Sequence, residues 1–468
     1  MGKIYLCKKS PYATISEKGV INVRRLFGTD GVRGVANRDL TAELAYQLGF
    51  AAACVLGKIH TERAFFVIGK DTRISGDMLE AALIAGIMAA GVDVHLLGII
   101  PTPGVAYLTR NSHAAAGVMI SASHNPVEDN GIKFFGADGY KLIDAMEDEI
   151  ERTMEQLNEC ERPIATAVGK RIEHGLGTAD YAAFLKNTVK HRLDGVKVAV
   201  DAANGAAYDL AKEVLASLGA EVFAFADRAD GAQINVNCGS THPDFIATKV
   251  KELGADVGLA FDGDAHRLIA VDEHGEVVDG DRMMLICGRH LQAKGELRGH
   301  TVVSTVMSNY GFVKAAKELG IELVRTAVGD RYVMEAMREG GFILGGEQSG
   351  HVIFLNYNTT GDGILTALQL LSVVVESKQP LSELAAVMRS YPQVLVNVRV
   401  MDKTAWRQND AIAEAIRVVE EKLGEDGRIL VRESGTEPIV RVMAEGSDEA
   451  TVRGYVNDIV AVVHRELG

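Results

Sequence analysis

Four short stretches of the chain combine residue types that can do chemistry. The first is ISASHNPVEDNGIKFF, residues 120–135. Ser123 stands there among small and turn-forming residues, just after the apolar run AAAGVMI. A serine hydroxyl at a strand end can act as a nucleophile or carry a phosphate. Asn125-Pro126 sets a turn behind it. An ordinary strand-end turn would read the same, because so short a pattern is not specific. The second stretch is GLAFDGDAHRLIAVDEHGEVVDGD, residues 258–281. Asp262, Asp264 and His266 alternate, and in an extended loop such positions face one way. Two carboxylates and an imidazole on one point make a metal-site pattern. The alternative is an acidic turn capped by Arg267.

The third stretch is GGEQSGH, residues 345–351. Glu347, Ser349 and His351 alternate in the same manner before the strand-like VIFL. Carboxylate, hydroxyl and imidazole suit hydrogen bonding to sugar hydroxyls, and a polar strand-to-strand turn is the plain alternative. The fourth is VRESGTEPIVRV, residues 431–442. Arg432, Ser434, Thr436 and Arg441 bracket Gly435. Backbone N–H groups of a Ser-Gly-Thr turn with two guanidiniums match a phosphate. A hairpin with a surface ion pair to Glu433 or Glu437 would also account for it. Taken together, a serine, a metal loop, a polyol loop and a phosphate loop suggest phosphoryl transfer on a phosphorylated sugar.

These loops need elements to hold them. FFVIGKDTRISGDMLEAALIAGIMAAGVDVHLLGI, VKVAVDAANGAAYDLAKEVLASLGAEVFAF and TVVSTVMSNYGFVKAAKELGIELVRTAV share one design. Each begins with a strand pattern, turns, enters an alanine-rich helix and leaves it at Gly91, Gly219 or Gly320 for a second strand. Glycine there is the expected helix stop. Such repeats predict parallel α/β units with right-handed crossovers. The last stretch reads differently. YPQVLVNVRV is a strand pattern, AWRQNDAIAEAIRVVEEKLG an amphipathic helix, RILVRESGTEPIVRVMAEG a hairpin and SDEATVRGYVNDIVAVVHREL a closing helix. The predicted fold is α/β: three similar mixed or parallel α/β sandwich domains plus a C-terminal α+β domain around a central cleft. The expected limits are an N-terminal extension at 1–25, then domains at 26–170, 171–278, 279–390 and 391–468.

Composition narrows the class. The chain has 468 residues, 47% apolar and 24% charged, as in an ordinary globular protein. Lys plus Arg is 49 and Asp plus Glu is 63, a net charge of −14. That argues against nucleic-acid and anionic-membrane partners. The five cysteines, Cys7, Cys54, Cys160, Cys238 and Cys287, lie far apart with no C-x-x-C pair. They fit a reducing cytoplasm better than a disulfide or structural zinc framework. No apolar stretch is long enough to span a bilayer.

In this order the motifs RLFGTDGVRG, ISASHNP with NGIKFF, AFDGDAHR, GGEQSGH with NTTGDG, and RESGTEPIVRVMAE resemble the α-D-phosphohexomutase superfamily. The resemblance covers about residues 25–468. The EQSGH form and the FGTDGVRG start favour its glucosamine branch over the phosphomannomutase/phosphoglucomutase branch. It implies conversion of glucosamine 6-phosphate to glucosamine 1-phosphate through a phosphoserine and a 1,6-bisphosphate, feeding UDP-N-acetylglucosamine synthesis. It implies Ser123 as that phosphoserine. Ser123, Asp262, Asp264 and His266 fall at Mg²⁺-ligand positions. Glu347 and Ser349 fall on the sugar loop, and Arg432, Ser434, Gly435, Thr436 and Arg441 on the phosphate clamp. Arg33, Lys133 and His351 occupy positions implicated in proton transfer or in holding the phosphoryl group. A phosphorylated amino sugar as partner and a homodimer are implied as well.

One position departs from the family pattern. The third metal-loop residue is Asp in the family and His266 here. Mg²⁺ prefers hard oxygen ligands, whereas imidazole suits Zn²⁺, Mn²⁺ or Ni²⁺. The expectation is weakened Mg²⁺ binding or an altered metal preference, unless His266 turns aside and two carboxylates with the phosphoserine suffice. An impaired sugar-phosphate-binding homologue is the corresponding functional alternative.

Overall fold

The computed structural model describes residues 13–15, 21–23, 26–28, 30–57, 63–173, 177–434 and 438–468. Gly435 and Thr436, expected on the phosphate clamp, lie outside the described residues, as does most of the stretch 1–25. Within that stretch Ala13–Ile15 and Ile21–Val23 pair antiparallel.

Four sheets account for the other strands of the described residues. The first runs Val32–Val35, Asp129–Gly136, Ala116–Ile120, Phe65–Lys70, Asp93–Ile99, Arg171–Glu173. Phe65–Lys70 lies parallel to both of its neighbours. The last strand, Arg171–Glu173, pairs with Asp93–Ile99 and so carries the sheet past residue 170. The second sheet runs Glu221–Phe225, Lys197–Asp201, Val257–Phe261, Leu268–Asp272, Val277–Val278. The third runs Glu322–Thr326, Thr301–Thr305, Leu344–Gly346, Val352–Phe354. The fourth is antiparallel throughout: Gln393–Arg399, Ile439–Gly446, Gly427–Glu433.

The three strand–helix–strand repeats form as the hydrophobic pattern predicts, each with its two strands parallel. Gly91, Gly219 and Gly320 follow the helices with φ of +88°, +102° and +66°. Side chains with a Cβ rarely adopt that conformation, so glycine ends the helix and turns the chain into its next strand.

One feature repeats across the three α/β sheets and positions the chemistry. A parallel strand runs out at its carboxyl end, a loop follows, and an antiparallel strand returns beside it. Ala116–Ile120 returns as Asp129–Gly136, Val257–Phe261 as Leu268–Asp272, and Leu344–Gly346 as Val352–Phe354. The three intervening loops hold Ser123, Asp262 to His266, and Glu347 to His351. Ligands in α/β sheets bind at the carboxyl ends of strands, and here three sheets present such ends.

A shared apolar core joins the α/β units. It includes Val105, Tyr181, Phe261, Leu268, Ile364 and Leu368, all fully or almost fully buried. Polar bonds fix the joints. Tyr181 Oη donates to Asp362 Oδ2 at 2.6 Å, and Asp362 caps the helix Gly363–Ser377 by accepting from the Leu365 N–H. The C-terminal sheet has its own core of Val398, Ile412, Val442, Val456 and Ile459.

Candidate active site

Ser123 is held in a conformation that a serine seldom adopts. Its φ is +56° and it is 3% exposed. Surrounding groups impose the conformation, since such backbone costs of order 1–3 kcal/mol. Its carbonyl accepts from Arg73 Nη2 at 3.0 Å and from Asn235 Nδ2 at 2.9 Å. Its N–H donates to Ser121 Oγ at 2.9 Å. Arg73 is buried, pairs with Asp71, and also donates to the carbonyls of Asn125, Pro126 and Asp129. One guanidinium therefore fixes the whole serine loop.

The Ser123 hydroxyl donates to Asp262 Oδ2 at 2.5 Å and lies 3.3 Å from His124 Nδ1. Gly263 makes this approach feasible: a Cβ there would fall 2.6 Å from the Ser123 carbonyl oxygen. Asp262 and Asp264 are both fully buried. Asp264 Oδ2 accepts from Lys133 Nζ at 2.8 Å and from Thr102 Oγ1 at 2.6 Å. Lys133 comes from the strand Asp129–Gly136 and also faces Asp30 Oδ2 at 3.3 Å. The two carboxyls are driven apart. Burial, then the neighbouring Asp264, raises the pKa of Asp262. Burial would raise Asp264 too, but Lys133 overcomes it and holds that carboxyl ionised. Burial, then Arg267, pushes His124 down to about 4, so its ring is neutral near neutral pH.

The alternation expected for the metal loop does not survive. Asp262 to Ala265 form a turn, closed by the Ala265 N–H donating to the Asp262 carbonyl at 2.9 Å. Ala265 has a φ of +51°, so the loop backbone is not extended. His266 Nε2 lies 2.6 Å from Thr360 Oγ1 and 3.1 Å from His351 Nε2. The sugar loop breaks its alternation in the same way. Gly350 donates to the Glu347 carbonyl at 3.0 Å with a φ of +90°. Ser349 is exposed while His351 is buried. Glu347 Oε1 accepts from the Gly329 N–H at 3.2 Å.

Does this donor set fit Mg²⁺? Asp262, Asp264 and the Ser123 oxygen are hard, buried and adjacent. Asp264 Oδ1 is buried with no hydrogen-bond partner, which leaves an acceptor free to ligate. These three groups fit a hard divalent cation. The His266 ring is engaged elsewhere.

Two more expected residues fall nearby. Arg33 pairs with Asp30, and Asp30 in turn binds Lys133 and Lys141. Lys141 reaches on to Asp330, and Asp330 to His351. A chain of ion pairs thus runs from Lys133 to Asp330, beside His351. The clamp residues lie apart from it, in the C-terminal sheet. Arg432 and Arg441 face each other directly across two strands. Neither makes an ion pair with a described residue, and Arg441 Nε is buried without a partner. Burial, then Arg441, lowers the pKa of Arg432. Two cations so placed call for an anion. Ser434 is buried, and its carbonyl accepts from Lys403 Nζ at 2.7 Å.

Sequence reasoning passed over Asp30, Arg73, His124, Asn235 and Asp330. Asp30 and Arg73 stand in the glycine-bearing turns FGTDG and KDTRISG, a signal that was present. Asn235 and Asp330 carry no local mark.

Comparison with known proteins follows the same geometry. Phosphoglucomutase/phosphomannomutase models match in order: α/β/α domain I over residues 24–161, domain II over 179–275, domain III over 279–391 and the C-terminal domain over 395–462. The phosphoglucosamine mutase of Shouchella clausii is 55% identical over 444 residues, 95% of this chain and 99% of its own. That of Brevibacillus brevis is 55% identical over 445 residues, with the same coverage. Among solved structures, a phosphoglucomutase/phosphomannomutase family protein of Burkholderia thailandensis superposes with a TM-score of 0.79 at 24% identity, over 94% of this chain and 97% of its own. Aspergillus fumigatus N-acetylphosphoglucosamine mutase, solved with GlcNAc-6P and magnesium, gives 0.67 at 19% identity, over 94% and 95%.

Proposed function

The chain belongs to the phosphoglucosamine mutase family of the phosphohexomutases, and on that premise we infer how its residues interconvert glucosamine 6-phosphate and glucosamine 1-phosphate. In this reading Ser123 carries the phosphoryl group. Phospho-Ser123 gives it to O1 of glucosamine 6-phosphate, so the Ser123 Oγ–P bond breaks as the O1–P bond forms. The resulting 1,6-bisphosphate turns over. Ser123 then accepts the phosphoryl group from O6, and glucosamine 1-phosphate leaves for UDP-N-acetylglucosamine synthesis.

The observation that carries the reading is the hydroxyl of Ser123, locked by Arg73 and Asn235 against Asp262 and beside Lys133 through Asp264. Phosphoryl transfer depends mainly on positioning and on neutralising charge. Lys133 brings a fixed cation to the buried pair of aspartates. The neutral His124 ring, beside Oγ, is placed to exchange a proton with it once the phosphoryl group has left. His351 and Arg33 stand on the charged chain leading toward the sugar loop, where Glu347 and Ser349 would bind hydroxyls. Arg432 and Arg441, with Ser434, Gly435 and Thr436, would hold the phosphate that is not reacting. Binding energy spent at that end positions the other.

Mg²⁺ would be held by Asp262, Asp264 and the phosphate on Ser123, and would supply charge neutralisation to the transferring group. Cys160, Cys238 and Cys287 form no disulfide, in keeping with a cytoplasmic setting. No described helix is long and apolar enough to cross a membrane. The test is turnover measured side by side on glucosamine, glucose and mannose 6-phosphates. Glucosamine 6-phosphate is expected to give the highest kcat/KM. Preference for glucose or mannose 6-phosphate would reject the glucosamine assignment.

A further inference from the structure

His266 also faces the loops of the third sheet. Its Nε2 lies 3.1 Å from His351 Nε2. His351 Nε2 lies 3.8 Å from Asp330 Oδ2. Donor atoms of all three residues fall within 4.8 Å of one another, and among the described residues no other His, Cys, Asp or Glu group meets that test. Thr360 Oγ1, 2.6 Å from His266 Nε2, adds an oxygen.

The spacing suits a common ion. Imidazole nitrogens bind Zn²⁺ at about 2.0–2.1 Å, which puts two neighbouring ligands roughly 3.0–3.4 Å apart. The rings meet nearly edge to face, with centroids 4.3 Å apart and planes at 87°, so two nitrogens converge without the rings stacking. The site is also built. His266 is 4% and His351 3% exposed. His351 Nδ1 is buried with no hydrogen-bond partner. A Cβ on residue 361 would lie 2.3 Å from His351 Nε2, so Gly361 leaves the room in which that nitrogen stands. Asp330 shares Lys141 with Asp30. Lys141 keeps Asp30 as partner when the Asp330 carboxylate turns to an ion.

We propose that His266, Asp330 and His351 form a second metal site, for a borderline divalent ion of the Zn²⁺, Co²⁺ or Ni²⁺ class, distinct from the carboxylate pair beside Ser123. Two imidazoles and one carboxylate favour such ions over Mg²⁺, whose preference is for oxygen. The ion joins the loop after Val257–Phe261, through His266, to the loops of the third sheet, beside the hydrogen bond that the Gly363 N–H donates to the Ala265 carbonyl at 2.9 Å.

The test reads binding alone and does not depend on the mutase reading. The full chain, stripped with a chelator, is titrated with Zn²⁺ and with Co²⁺ in excess Mg²⁺. One ion per chain is expected. His266→Asn and Asp330→Asn should each weaken binding by about tenfold or more, while Asp262→Asn should leave it intact. X-ray absorption of the Zn²⁺-loaded wild-type chain should show two imidazoles and no sulfur, a readout that needs no variant to fold. Absence of binding, a sulfur ligand, undiminished binding by folded His266→Asn, or loss of binding in folded Asp262→Asn would each overturn the proposal.

Discussion

Replacing Asp281 by asparagine removes a buried charge and keeps its hydrogen bond. Asp281 is fully buried, accepts from the Asn309 N–H at 2.7 Å through Oδ2, and leaves Oδ1 without a partner. Burial, then the Asp279 carboxylate, pushes its pKa up to about 7. In the unfolded chain it returns to about 3.9. Between those values the native state holds the extra proton, so stability falls as pH rises through this window; below about pH 4 the cost vanishes. Near pH 8 the full rise of about 3 units costs roughly 4 kcal/mol, and near pH 5 about 1 unit costs roughly 1.5 kcal/mol. Asn cannot ionise, so Asp281→Asn gains about 3 kcal/mol more at the higher pH. For a cooperative unit of 150–250 residues that is a Tm difference of roughly 6–12 °C, an upper limit. Thermal unfolding of both proteins at the two pH values measures it. An equal Tm shift at both would refute the reasoning, as would a loss of stability at the higher pH.

Three further outcomes follow from the same geometry. Lys133→Met leaves Asp264 without its cation and should lower kcat by about 10²–10⁴-fold; a coupled assay giving near wild-type kcat would dismiss its role. His266→Asp returns a carboxylate to the metal loop and should lower the Mg²⁺ concentration for half-maximal turnover by about tenfold or more, since hard ions favour oxygen ligands; an unchanged Mg²⁺ requirement would show that the two aspartates suffice. Arg428 donates to the buried Glu445 at 2.6 Å, and Glu445 also accepts from the Tyr310 N–H at 2.9 Å. Arg428→Met strands that carboxylate, a cost of about 3–5 kcal/mol, at the joint between the third sheet and the sheet bearing Arg432 and Arg441. Faster hydrogen exchange in Gln393–Arg399 and Ile439–Gly446, with KM raised more than kcat is lowered, is expected. Unaltered exchange would contradict it.

The repeats, the closing α+β unit and the four motif loops were legible in the sequence. Apolar period and helix-ending glycines are local signals, and Gly91, Gly219 and Gly320 act as read. What failed was the step from alternation to direction. Facing by i, i+2 and i+4 presumes an extended chain, and turns at Ala265 and Gly350 undo it. The imidazole of His266 meets His351 and Thr360, residues 85 and 94 positions away. The supports of Ser123 were hidden for a related reason. Arg73 and Asn235 lie 50 and 112 positions from it, and only the folding of two sheets against each other brings them to one carbonyl.

The most direct measurement follows the phosphoryl group itself. Protein carrying isotope-labelled phosphate is mixed with unlabelled glucosamine 6-phosphate, and the label is located in its peptides and in the sugar as turnover proceeds. The label should begin on the peptide containing Ser123, pass to O1 of the sugar, and be replaced on Ser123 by unlabelled phosphate from O6; Ser123→Ala should neither carry phosphate nor turn over. Turnover by Ser123→Ala, or a label that stays on Ser123 while product accumulates, would contradict a phosphoserine relay.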